Sequence, residues 1–162
     1  MEIITYVIDG ELTHRDSMGN GSALTRGQVQ FMSAGTGITH SEYNHGDQEL
    51  RLLQIWIFPD RKGRVPQYGE IRPDWMERVE RWLPLETGIH QDAHLYATWI
   101  PAKSQIHFPI QEGRQAYLVQ MEGESTVNGN VLKERDALTS IRESLIIQAK
   151  NDSHFLLIEL AQ

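Results

Sequence analysis

Two stretches of this chain repeat one another. Residues 5–13 read TYVIDGELT and residues 117–126 read YLVQMEGEST, while LLQIWIF at 52–58 is echoed by LLIEL at 156–160. A degenerate repeat at this distance means that one structural plan is built twice. Both copies are rich in β-branched and aromatic residues, so the plan is made of short strands. Placing Gly10 opposite Gly123 puts Met1 opposite Arg114. The second copy then has a further stretch, roughly residues 94–113, holding two strands that the first copy lacks. The first unit is therefore expected to be short of its opening strands.

In chain order, IITYVI at 3–8 reads as a strand, Asp9-Gly10 as a hairpin turn and residues 11–15 as the return strand. DSMGNG at 16–21 reads as a loop, residues 28–32 as a short strand, and residues 50–58 as a mostly buried one. Three prolines before Trp75 and a cluster of charges mark residues 59–88 as a linker. Within it, Asp74 and Glu77 are spaced to cap one or two helical turns, with Trp75 and Trp82 as packing anchors. Strands return at 94–100, 104–108, 115–121, 124–128, 137–140, 144–148 and 154–160, with Asn128-Gly129 as a second hairpin turn. The expected fold is all-β. Two β-barrel, jelly-roll-like units span 1–58 and 89–162, the first incomplete at its N-terminus.

Composition excludes several chemistries. No cysteine is present, which removes disulfides, thiolate nucleophiles and cysteine-rich zinc sites. A net charge of -7 and a pI near 5.4 oppose direct binding to nucleic acid or to an anionic membrane. No apolar run is long enough to cross a bilayer, and a strand pattern rather than a signal peptide begins at Met1. The cytoplasm is the default compartment.

The candidate site lies in residues 27–44, GQVQFMSAGTGITHSEYN. Its glycines permit a tight turn, and ITHSEY then alternates as a strand, so that His40 and Glu42 project to one face. An imidazole and a carboxylate on one strand face are half of a metal site with mixed nitrogen and oxygen ligands. The second copy has SLIIQA in the same place, without ligands. Only the first unit can carry a metal.

Met18-Gly19-Asn20, the run MSAGTGI at 32–38, HSEYN at 40–44, QIWI at 54–57 and IHQDA at 89–93 together resemble the pirin family of two-domain cupins. The resemblance spans most of the chain and places it in the cupin superfamily, as a bicupin. It implies a divalent transition metal (Fe, Mn, Ni, Co or Cu) held by a His-x-His pair, a third His and a Glu. His40 and Glu42 match the last two. The His-x-His pair falls just before the segment matching Met1-Glu2-Ile3, so the metal is expected to be weakly bound or absent. Two functions follow from the resemblance. One is a binding or regulatory module, since pirins also dock on transcription factors or metabolic enzymes. The other is a quercetin 2,3-dioxygenase-like enzyme, with Glu42 as ligand and catalytic base and the site completed by His14 or by another subunit.

Other residues have plainer readings. Glu2 matches the glutamate of the first cupin motif, is not an expected ligand, and is as readily frayed at the terminus. His14 either faces the interior as a ligand or substrate contact, or is satisfied or exposed. His45 is expected in solvent and His154 at the surface, His90 and His94 in a structural segment, and His107 without a partner two residues away. Met32 and Phe31 read as core. Missing strands would leave a sheet edge open and uncover Ile4, Tyr6, Ile8 and Leu53, so a homodimer through the first β unit is expected.

Overall fold

The computed structural model describes residues 1–162. The chain forms two compact units, one of residues 1–73 with 87–91 and one of residues 74–86 with 92–162. Unit 1 contains β1 (Glu2–Asp9), β2 (Glu11–Asp16), β3 (Gly21–Thr25), β4 (Val29–Ser33), β5 (His40–Tyr43), β6 (Arg51–Ile57) and β7 (Gln67–Ile71). They make a four-stranded sheet in the order β6-β1-β4-β7 and a three-stranded sheet in the order β3-β2-β5.

Unit 2 contains β8 (Leu83–Leu85), β9 (Ala93–Ile100), β10 (Gln105–Phe108), β11 (Arg114–Glu122), β12 (Glu124–Val127), β13 (Asn130–Lys133), β14 (Ala137–Ile141), β15 (Leu145–Ala149) and β16 (Ser153–Ala161). Its sheets run β14-β11-β16-β9-β8 and β10-β15-β12-β13. None of the four sheets closes on itself into a barrel. The units are two-sheet, cupin-like β domains, each fixed by non-local antiparallel pairing. No helix is long and apolar enough to cross a membrane.

The repeat is visible in the strand order. The run β6-β1-β4 corresponds to β16-β11-β14, and β3-β2-β5 corresponds to β13-β12-β15. The register shifts between Val7 and Asp9 in one copy and between Gln120 and Glu122 in the other. Both bulges lead into a glycine with positive φ, Gly10 at 77° and Gly123 at 88°. A Cβ at either would collide with a carbonyl oxygen, that of Glu49 or of Asp152, so only glycine fits. The LL pairs match with one residue of offset from the sequence reading. Leu53 lies opposite Tyr6 as Leu156 lies opposite Val119, because the ladder, not the spelling of the two strands, sets the equivalence.

The units differ at their flanks. In unit 2, β9 pairs with β16 and β10 with β15; in unit 1, the corresponding β6 and β5 are edge strands. Unit 1 instead adds β7 beside β4, where β14 has no outer neighbour. Residues 59–88, expected as a linker of coil, thus supply strand β7 to unit 1 and strand β8 to unit 2. QYGEI and LPL are too short and mixed in polarity to read as strands alone; pairing with β4 and β9 makes them so. Asp74 and Glu77 do form a capping box, on a 3-10 turn Trp75–Arg78. Trp75 packs edge-on against His154 and Trp82 against Phe108, as anchors within unit 2. β3 and β13 also had no sequence signal strong enough to separate them from the loops beside them.

Unit 2 has an aliphatic interior that includes Leu118, Val127, Leu145, Ile147 and Leu157. In unit 1, Val7, Leu12 and Leu24 form an apolar cluster. Ile4, Tyr6 and Ile8 are buried rather than uncovered, because β1 lies between β4 and β6; Leu53, on the edge strand, stays partly exposed.

Candidate functional site

β2 and β5 lie side by side with His14 opposite Glu42 and Asp16 opposite His40. Directly paired residues, and residues two apart on a strand, share a face, so these four side chains stand together on one side of the sheet. The turn before β5 brings them there. Gly35 has φ 52°, and a Cβ on it would collide with the Arg64 carbonyl, which accepts a hydrogen bond from the Thr36 amide at 2.9 Å.

His14 is fully buried, which excludes the exposed histidine and places the ring in the interior. Its ring stacks on Tyr68, centroids 4.7 Å apart, and on His40 at 5.7 Å. Its Nε2 lies 3.4 Å from Asp16 Oδ2, and its Nδ1 is buried without a partner. Asp16 is held below the ordinary aspartate range: burial raises it, and hydrogen bonds from Asn20, His14 and Met18 outweigh burial. His40 is half-buried and borders a shallow surface depression of about 280 Å³ with Asp16 and Thr39.

The four-stranded sheet supplies the opposing polar groups. Thr5 on β1 sits opposite Gln30 on β4 and Gln54 on β6. Gln30 Nε2 donates to Glu42 Oε1 at 2.5 Å, and Gln54 Nε2 donates to Glu42 Oε2 at 3.2 Å. Both amides also lie 3.4 Å from Thr5 Oγ1. The Trp56 indole donates to Gln54 Oε1 at 2.9 Å. Each oxygen of Glu42 is thereby capped by one carboxamide.

Tyr68, brought in by β7, completes the cluster. Its hydroxyl donates to Glu70 Oε1 at 2.7 Å and lies 3.0 Å from Ser22 Oγ and 3.5 Å from Gln30 Oε1. Burial pushes the phenol up, and Glu70 adds to the effect. Glu70 is held below the usual glutamate range: burial raises it, and hydrogen bonds from Ser22, Tyr68 and Arg72 outweigh burial.

The repeat gives this cluster its meaning. Through the two ladders, Thr5, Gln30 and Gln54 correspond to Leu118, Leu138 and Leu157. His14, His40 and Glu42 correspond in the same way to Val127, Leu145 and Ile147. Those six residues of unit 2 all belong to its hydrophobic core or pack against it. The strand frame thus folds with apolar residues at all six positions, and unit 1 keeps polar ones there, beside its own apolar cluster, at a cost in desolvation that hydrogen bonding offsets.

The other residues singled out in the sequence fall elsewhere. Glu2 is not frayed: it is buried on the central strand β1, and its Oε2 accepts from Ser33 Oγ at 2.5 Å and from the His90 amide at 3.0 Å. His154 is not at the surface. It is fully buried, with Nδ1 3.0 Å from Glu122 Oε2, because β16 is a central strand. His45, His94 and His107 are exposed, and Met32 is core. Gln30, Gln54 and Tyr68 were not among the sequence candidates. The signal for the two glutamines was present in the repeat, as polar residues standing where the other copy has leucine.

A divalent metal, as the resemblance implies, would find His40 and Glu42 here. No group of three or more His, Cys, Asp or Glu is arranged to hold an ion, and both oxygens of Glu42 already accept amide hydrogen bonds. Two donors are fewer than a transition-metal site ordinarily uses. The residues of this chain therefore do not by themselves fit the metal.

Comparison with known proteins agrees with the fold and the strand pattern. The Pirin family profile matches residues 1–57, and that of the quercetinase C-terminal cupin domain matches residues 86–160. A quercetin 2,3-dioxygenase of Escherichia coli is 38% identical over 167 residues, 99% of this chain and 72% of that protein. A pirin-like protein of Caulobacter vibrioides is 36% identical over 171 residues, 99% of this chain and 74% of its own length. The crystal structure of the bacterial pirin YhhW from Escherichia coli in complex with nickel(II) superposes with a TM-score of 0.89 at 36% identity, covering 99% of this chain and 72% of that one. With similarity of this order along the whole chain and a duplicated two-sheet plan, the chain belongs to the pirin family of bicupins.

Proposed function

We propose that unit 1 is a polar small-ligand site anchored by Glu42 and His40, and that the chain acts as a pirin-type binding and regulatory module. One observation carries this proposal: six positions that are aliphatic in unit 2 are polar in unit 1, and two of them, Gln30 and Gln54, donate to a third, Glu42, from its two sides. A fold that needs no polar interior keeps one when something binds there. The acidic balance of the chain favours a protein over nucleic acid as any macromolecular partner.

A second function is supported by relatives described as quercetin 2,3-dioxygenases and by the nickel(II) complex of YhhW. In such an enzyme His40 and Glu42 would be metal ligands and Glu42 the base, with further ligands from another subunit. The open edges of β5 and β6 favour a homodimer through unit 1, since each copy presents the same unpaired strands.

Titration with quercetin separates the two functions. Saturable perturbation of the His40 and Glu42 resonances without oxygen uptake supports the binding module. Oxygen uptake with bound quercetin, lost in Glu42→Gln, replaces it with the enzyme. Absence of any perturbation defeats both.

A further inference from the structure

Gln30 and Gln54 approach Glu42 from different strands and meet different oxygens, at 2.5 and 3.2 Å. A carboxamide has a donor end and an acceptor end, and only the donor end suits a carboxylate. The end presented is set by what the amide oxygen itself meets. For Gln54 this is the Trp56 indole N–H, which can only donate; Gln30, enclosed between the sheets, is held by the short contact of its Nε2 with Glu42 Oε1 and by Thr5 Oγ1 at 3.4 Å. Both glutamines are dispensable to the strand frame, as Leu138 and Leu157 show in unit 2.

Burial makes the two arms unequal. Gln30 is 1% exposed, and Tyr68 behind it is half-buried and stacked on His14. Gln54 is exposed on the edge strand β6, and Trp56 behind it is 64% exposed. We infer that Gln30 and Gln54 are positioning residues for Glu42, of which Gln30 is fixed and Gln54 releases Oε2 to an incoming ligand that presents a hydroxyl donor. Glu42 then works from one held oxygen and one offered oxygen. The inference rests on Glu42 being the anchor of the proposed site.

Side-chain amide NMR on the full chain tests it, with catechol as the probe. In the free protein the Gln30 amide resonates downfield of the other glutamines and exchanges about tenfold more slowly than that of Gln54, the factor expected for a better-held hydrogen bond. Trp56→Phe speeds exchange at Gln54 and leaves Gln30 unchanged. Catechol shifts the Gln54 amide while Gln30 stays in place. Equal exchange at the two amides, a Trp56→Phe effect on both alike, or catechol moving Gln30 first would overturn the inference. Glu42→Ile, which places at this position the residue found at Ile147, brings both amides to solvent-like exchange in a chain that keeps its fold; protection that persists there also overturns it. None of these measurements depends on quercetin or oxygen, so they stand or fall separately from the quercetin titration.

Discussion

Gln30 and Leu138 occupy the same point of two repeated sheets, one facing Thr5 and the other Leu118 across the ladder. Replacing the first by the second is therefore sterically natural and electrostatically wrong. Gln30→Leu removes a charge-assisted donor from Glu42 and is expected to cost about 1–3 kcal/mol of stability. The double variant Gln30→Leu with Glu42→Ile restores an apolar pair and recovers most of that loss. Urea unfolding of the four proteins of this cycle measures both effects, and additive losses would show that the two residues are not coupled.

Metal binding by the isolated chain is expected to be weak. His40 and Glu42 are the two matched donors, and no cluster of three surrounds them. Calorimetric titration with nickel(II) should show no near-stoichiometric occupancy that survives dialysis against a chelator. Tight binding abolished by His40→Ala would contradict this.

Should turnover of quercetin be found, Glu42→Gln should lower it by about 10²-fold or more, as removal of an acid–base group does. Unchanged turnover would exclude Glu42 from the chemistry.

Acid should loosen the β7 side of unit 1. The carboxyl of Glu70 is lowered from its ordinary 4.5 by Ser22, Tyr68 and Arg72 acting against burial. A carboxylate with a depressed folded-state value contributes stability above its unfolded value and loses that contribution as pH falls through the folded one. The advantage of the native protein over Glu70→Gln should be constant above about pH 5 and shrink below 4.5. Urea midpoints of both proteins between neutral pH and about pH 3 provide the check.

Self-association through unit 1 should give a twofold mass by light scattering at micromolar concentration. Trp56, 64% exposed on the edge strand, is the residue whose change to Lys should return the mass to that of a monomer. A strictly monomeric native chain, with the β6 amides protected from hydrogen exchange, would rule the dimer out.

Much of the fold was legible in the sequence because its signals were local. Asn128-Gly129 marked the β12-β13 hairpin, with φ 47° and 83°, both left-handed as a type I′ turn requires. Asp9-Gly10 marked a turn but not the hairpin expected of it, because β1 and β2 join different sheets and do not pair. His40 and Glu42 were legible as a pair through the period of two along a strand. What stayed hidden depends on pairing between distant segments. QYGEI becomes β7 only beside β4, and with it Tyr68 enters the site. The burial of His14 and His154 likewise follows from sheet position, which no neighbour in sequence announces. Glutamine, moreover, carries no motif: Gln30 and Gln54 become informative only when set against the leucines of the other copy.

The contrast between the two interiors has a mechanical consequence. Unit 2, sealed by branched aliphatic side chains, resists opening because any breach wets hydrocarbon. Unit 1 is held in part by amide-to-carboxylate contacts that water can replace one for one. Local opening is therefore expected at lower cost around Glu42 than in the sealed interior of unit 2, a difference that hydrogen exchange of the two sets of strands would measure.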